Sequence, residues 1–336
     1  MMADHDDSSD RGRHEYHKPP TGDSCRTDAR PMKIATPDLV TNSYFPALAA
    51  EELGLFREEG IDAHVELQPS VDAVNGLRDG AVHFVAGGAH TMLLGFPNWS
   101  GMKIVVTLSQ GTPWLLVLRA DLPARRGDVT AVKGLRIGAA AGPDRALLHL
   151  LRESGVDPTR DRVAIAPVPG ANEPGVSFGV FVAEALERGI VDGFWANALG
   201  SETAVRRGVG KVVVDVRRGD GPRGAGQYTF AALSTTDTLI AREPERVAGA
   251  VRAIVRAQKI LKADPSRATE VGRRRFPDAA AEIIAAVVER DLPFYDPVLS
   301  EAAVSSINAF AQAIGLLSAP VRYDAVVATR FRELWN

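Results

Sequence analysis

The sequence predicts an α/β protein of two lobes, each built on an open, mostly parallel sheet. Strand-like and helix-like segments alternate from Lys33 to His90, and the alternation begins again at Arg136. Polar residues gather at the strand ends, where open α/β sheets bind small ligands. From Glu243 onward the periodicity is helical, which adds a C-terminal helical region.

The first series opens with the strand KIATPD (33–38) and a polar loop, Leu39 to Ser43. A helix follows over YFPALAAEELGLFREEG, with Phe45, Leu48, Ala49, Leu53 and Phe56 at helical spacing and Gly60 as its C-terminal cap. Ile61, Ala63, Val65 and Leu67 then alternate as in a half-buried strand. A short helix and the strand AVHFVAGG lead to His90 at the mouth of another helix, and KIVVTLS (103–109) and WLLVLRA (114–120) read as further strands.

The Pro/Arg/Gly-rich passage LPARRGDVTAVKG reads as the crossing between lobes. Beyond it come RIGAAA, a helix from Pro143 to Ser154, RVAIAPV, a helix over 178–188, VDGFWANA, a short helix and KVVVDV. The glycine-rich return, RRGDGPRGAGQ, is either a hinge or a flexible surface loop, and YTFAALST follows it. Val247, Ala250, Val251, Ile254 and Leu261 form one helical stripe, Ile283, Ile284, Val287 and Val288 another, and Ser300 caps a helix ending at Gly315. The expected organisation is a first lobe of residues 32–122 plus 228–336, a second of 123–227, and a disordered tail of 1–31.

Apolar residues make up 45% of the 336, enough for a sizeable core, and a net charge of −3 gives no sign of a nucleic-acid partner. The single cysteine, Cys25, excludes an internal disulfide and any cysteine-rich metal site. No run approaches the roughly 18 apolar residues of a membrane span, so no membrane insertion is expected. The first 31 residues are poor in large aliphatics and lack the apolar core of a signal peptide. As written the chain reads as cytoplasmic; a different natural start would make it periplasmic.

LGLFREEGID, followed by DGAVHFVAGG and VKGLRIGAAAGPDRALLHLLRESGVDPTRDRVAIAPVPG, resembles the solute-binding proteins of the nitrate, sulfonate and taurine importers. Their superfamily includes the fungal pyrimidine synthases of thiamine biosynthesis and the aryl-sulfinate desulfinases. The resemblance covers nearly everything after Pro31. It implies a two-lobed, periplasmic-binding-protein-like fold of type II, a small-molecule ligand and an ABC permease as partner. The alternative it implies is a cytoplasmic enzyme on the same fold with a non-standard site.

That alternative departs from the known enzymes at two positions. In the pyrimidine synthases a histidine matching His90 follows a lysine that holds pyridoxal phosphate, and Ala86 stands at that lysine's place. Without the amine no Schiff base forms, so no cofactor is expected. The desulfinases use a cysteine in the loop after the first strand, where Asn42 falls here.

Gly175-Val176-Ser177-Phe178-Gly179 matches the G-x-S-x-G elbow, but GANEP separates it from its strand and every histidine precedes it. Ser177 therefore reads as a helix N-cap. His5, His14 and His17 lack the frame of a specific metal site. His90 reads as a recognition group offering one donor and one acceptor, or as a histidine satisfied locally. Asp144, in the first turn of the second lobe's first helix, either disfavours small anions in the site or caps that helix, with Arg145 beside it. Aromatic walls and a few amides suit a heteroaromatic ligand. The ligand-binding residues expected are Asn42, Ser43, Tyr44, His90, Gln110, Asp144, Arg145, Trp195, Asn197 and Tyr228. Trp114 and Phe194 read more as core than as site.

Overall fold

The computed structural model describes residues 31–39, 41–171, 178–276 and 278–336. The expected tail, with Cys25 and its three histidines, and the Ser177 cap lie outside the described residues.

The first series runs β1 (Met32–Thr36), α1 (Phe45–Glu52), α2 (Leu55–Glu58), β2 (Ala63–Leu67), α3 (Ser70–Arg78), β3 (Phe84–Gly88) and β4 (Met102–Ser109). The second runs β5 (Leu115–Arg119), β6 (Arg136–Ala139), α4 (Pro143–Glu153), β7 (Ala164–Ala166), α5 (Phe178–Glu187), β8 (Gly193–Ala196), α6 (Ala198–Arg206) and β9 (Gly210–Asp215). After these come β10 (Ala231–Thr236), α7 (Asp237–Arg242), α8 (Pro244–Ala263), α9 (Arg267–Arg275), α10 (Asp278–Asp291), α11 (Glu301–Ala313) and α12 (Tyr323–Val326).

The strands form two five-stranded sheets, ordered β2-β1-β3-β10-β4 and β7-β6-β8-β5-β9. The two orders are the same pattern. In each sheet the antiparallel strand is the one that has just arrived from the other sheet: β10 between β3 and β4, and β5 between β8 and β9. A chain that leaves one sheet at the carboxyl end of its last strand enters the other from the ligand side, so its first strand runs backwards.

This corrects the crossing expected at 122–134. Leu115 to Leu118 are all buried and pair with β8 and β9, so WLLVLRA is a central strand of the second sheet and the chain crosses at 110–114. Its unbroken apolar run fits a strand covered on both faces. The Pro/Arg/Gly-rich passage stays in the second lobe, where Asp128 Oδ1 accepts from Thr130 N at 3.0 Å and caps a short 3₁₀ turn. The glycine-rich return, 216–230, carries the second crossing.

The helix expected over 44–60 is two helices. Gly54 sits at φ +76, a left-handed conformation that ends α1 and starts α2 at a new angle. Gly60, at φ +72, ends α2 as the sequence suggests. Ser300 Oγ accepts from Ala303 N at 3.1 Å as the cap of α11. The stripe of α8 is buried against the first sheet's core, whereas Phe310 of α11 packs into the second lobe's core. The C-terminal helices thus touch both lobes.

Candidate functional site

The carboxyl ends of the parallel strands of both sheets open onto one cleft of about 540 Å³. Pro37, Asp38, Thr41 and Tyr44 line it from the loop after β1, and Gln68 to Asp72 from the start of α3. The second lobe supplies Ala140, Ala141 and Pro143 at the start of α4, Phe178 at the start of α5, and Trp195 to Asn197 at the end of β8. Trp114, on the first crossing, completes the wall, its ring centre 6.0 Å from that of Trp195 and tilted by 47°. Small residues at 140 and 141 keep the start of α4 close to the cavity. Trp114, Trp195, Asn197, Asp38 and Thr41 are all buried.

One polar pair joins the two walls. Asn197 is the N-cap of α6: its Oδ1 accepts from Leu199 N at 3.1 Å and Gly200 N at 3.3 Å. Those bonds fix which end of the amide faces the cleft, and its Nδ2 donates to the carboxylate of Asp38 in the first lobe. Close by, Tyr44 has its phenol pKa held well above the ordinary value, by burial and by the Asp38 charge. Trp195 Nε1 is buried with no partner among the described residues. Among the described residues, Asp38 and Asp72 are the carboxylates on the walls, and no Lys, Arg or His lines the cleft.

Of the ten residues expected at the site, Tyr44, Trp195 and Asn197 line this cleft; the other seven do not. Asn42 is fully buried and donates to Asp291. Ser43 is buried beside it in the same loop. His90 is fully buried at the seam between lobes, on a short 3₁₀ turn (Ala89–Leu94) rather than at the start of a long helix. Its Nε2 lies 3.3 Å from the carbonyl of Gly142, which can only accept, so that nitrogen carries the proton and Nδ1 accepts from Thr229 Oγ1 at 3.1 Å. Burial drives its pKa down to about 4. His90 is therefore locally satisfied and does not face the cleft.

Gln110 donates to the carbonyls of Val298 and Asp296, tying the first crossing to the C-terminal region. Asp144, inside the first turn of α4, accepts through Oδ1 from the backbone N of Gly142, itself the N-cap, at 2.9 Å, and Arg145 follows it outside the cleft. Tyr228 stacks on Phe310 at 4.9 Å and donates to Glu153. Phe194 is core, as expected, while Trp114 proves to be a cleft wall.

Sequence reading missed Asp38, Thr41 and the Gln68–Asp72 segment. Asp38 was hidden inside KIATPD because the strand ends at Thr36, two residues earlier. The residues directly following each parallel strand were the signal available, and that rule points to Asp38 and Gln68 as readily as to Asn197.

Two matched α/β lobes closing on a cleft at their strand ends define a periplasmic-binding-protein-like fold of type II. The chain belongs to the NMT1-like family, whose model matches residues 28–274. Among solved structures it is similar to the alkanesulfonate-binding protein SsuA from Xanthomonas axonopodis pv. citri bound to MOPS. The two are 16% identical over 89% of this chain and 99% of that one, with a TM-score of 0.66. The periplasmic nitrate-binding protein NrtA from Synechocystis PCC 6803 is 14% identical over 92% and 88%, with a TM-score of 0.67. The desulfurization enzyme DSZB in complex with biphenyl-2-sulfinic acid is 17% identical over 90% and 97%, with a TM-score of 0.62. These likenesses carry the fold. A search of curated proteins finds no match to the chain. No helix among the described residues is long and apolar enough to cross a membrane.

Proposed function

We propose that this chain is a solute-binding protein that closes its lobes on a neutral or cationic heteroaromatic molecule and presents it to an ABC permease. The observation that carries the ligand class is the composition of the cleft walls. Trp114, Trp195 and Tyr44 offer flat apolar surface, Asp38 and Asp72 offer carboxylates, and the described lining residues include no cationic side chain. An aromatic ring with a positive edge or an attached amine suits such walls. A sulfonate or nitrate would meet the carboxylates of Asp38 and Asp72 on walls whose described lining residues include no Lys or Arg to bind it. The fold shared with SsuA and NrtA supports the binding role.

The enzyme alternative, which the likeness to DSZB favours less, finds little in the residues themselves. Asn42, aligned with the desulfinase cysteine, is buried on Asp291 and away from the cleft. His90 is held between Thr229 and Gly142.

A thermal-unfolding screen of neutral and cationic heteroaromatics against taurine, sulfate and nitrate tests the proposal. A ligand at about 100 times its dissociation constant adds roughly 2.7 kcal/mol of stability. Stabilisation confined to the anions would defeat the ligand class. Permease binding is tested by ATPase stimulation in reconstituted vesicles, with the ligand-loaded protein expected to stimulate more than the empty one.

A further inference from the structure

We infer that a second cavity, between the two crossings and α11, binds a small oxyanion-bearing molecule, a carboxylate or phosphate of metabolite size. The cavity, of about 680 Å³, shares no lining residue with the cleft. Gln110 lines it from the first crossing, Arg217, Arg223 and Gln227 from the second, and Ser300 and Ser306 from the cap and second turn of α11.

Its charge is of one sign. The described lining residues include Arg217 and Arg223 but no Asp or Glu. The two arginines differ in their partners. The Arg217 side chain is 2% exposed and pairs with Asp291 at 2.9 Å, yet its buried Nε has no hydrogen-bond partner among the described residues. Arg223 is exposed and makes no ion pair or hydrogen bond among the described residues. Arg223 is therefore the cation of this wall that has no counter-charge there.

The groups around it are donors. Ser306 Oγ donates to Gln227 Oε1 at 3.5 Å, which leaves the Gln227 Nε2 hydrogens without a partner among the described residues. Ser300 Oγ accepts from Ala303 N at 3.1 Å and keeps its own hydrogen to donate. The same cap puts the positive end of the 13-residue α11 on this wall. Glu301, in that first turn, borders a different hollow beside Tyr323 and Arg332. A guanidinium, an amide NH₂ and a hydroxyl all have hydrogens to give, and an oxygen of a carboxylate or phosphate accepts from each.

The test is thermal unfolding of the full chain with citrate and with inorganic phosphate, each against sodium chloride of the same ionic strength. The two arms separate a carboxylate ligand from a phosphate one. At least one of the anions is expected to raise the unfolding temperature beyond the chloride control. In Arg223→Gln, half-saturation of that shift should need about tenfold more anion, the effect of losing one charged hydrogen bond. In Trp195→Ala it should be unchanged, because Trp195 lines only the cleft. Each variant is measured against its own anion-free baseline.

No stabilisation beyond chloride by either anion, or a concentration dependence unchanged in Arg223→Gln, would overturn the second site. A shift lost in Trp195→Ala would overturn it too, by placing the anion in the cleft, and would count against the cleft ligand proposed above. A shift that follows Arg223 alone leaves that proposal untouched.

Discussion

His90 Nε2 donates to the carbonyl oxygen of Gly142 across 3.3 Å, joining the first lobe to the second beside the cleft. The same ring accepts from Thr229 on the second crossing and meets Trp114 of the first crossing edge-on at 5.7 Å. Phe310 of α11 approaches it at 5.6 Å. One side chain therefore touches both lobes, both crossings and the C-terminal region.

This junction makes folding stability depend on pH in a definite direction. The His90 pKa falls from an ordinary 6.5 to about 4, chiefly through burial, with the Gly142 bond opposing and the Arg145 charge assisting. Below pH 6.5 the unfolded chain takes up a proton here that the folded one refuses, so this contribution is lost as pH drops from 6.5 toward 4. A shift of that size is worth about 3 kcal/mol. In His90→Gln the group no longer titrates. The difference in unfolding free energy between the parent protein and the variant, followed by urea titration, should narrow on acidification through that window. A difference constant with pH would show that His90 titrates normally.

Gly142 is the other half of the seam. Its φ of +98 and ψ of −68 are open to glycine and strained for other residues, and a Cβ there would stand 3.1 Å from Thr91 Cγ2 in the first lobe. Gly155, at φ +74, has open space around it, with nothing within 4 Å of where a Cβ would stand. Gly155→Ala should cost about 1 kcal/mol, as a left-handed residue does, and Gly142→Ala should cost distinctly more and loosen the lobes. Unfolding curves read the first effect, and the radius of gyration from X-ray scattering reads the second.

Much of this fold was legible because apolar period and glycine position are local signals: β2, α4, the caps at Gly60 and Ser300, and the C-terminal stripes follow from neighbours in sequence. Strand partnership is not local. Leu115–Leu118 reads as a buried strand from its composition, but nothing in those residues says which sheet receives it. The site divides the same way. Asn197 and Trp195 end a clear strand and were visible. Asn42, Ser43 and His90 also follow strands, yet the side chains of Asn42 and His90 turn to Asp291 and to the seam, a choice made by contacts far away in the chain.

Phe310 ties the C-terminal helices to the second lobe. It is buried, stacks on Tyr228 at 11° between ring planes, and meets His149 at 5.6 Å. Phe310→Ala should cost about 3–5 kcal/mol, as large aromatic truncations in cores do. Tyr228→Phe keeps the stack and removes only the bond to Glu153, so its cost should stay near about 1 kcal/mol. If the two cost the same in denaturant unfolding, the hydroxyl and not the stack anchors α11.

The last prediction concerns Asp291, at the end of α10. Its buried carboxylate accepts from the buried Arg217 Nη1 at 2.9 Å, from the buried Asn42 amide and from the partly exposed Arg218. Arg217 also donates to the Gly111 carbonyl at 3.0 Å and lies over the Phe294 ring. Both crossings and the cleft loop thus meet at one buried anion. Burial pulls the Arg217 pKa down, and the Asp291 charge is the leading influence that holds it up. Asp291→Asn should cost about 3–5 kcal/mol, because it leaves a buried guanidinium without its counter-charge. Removing both charges, in Asp291→Asn with Arg217→Met, should recover part of that loss, since an apolar side chain of similar length needs no partner. A double-mutant cycle by urea unfolding measures the coupling. Strictly additive costs would mean that Arg217 is held by Gly111 and Phe294 rather than by the carboxylate.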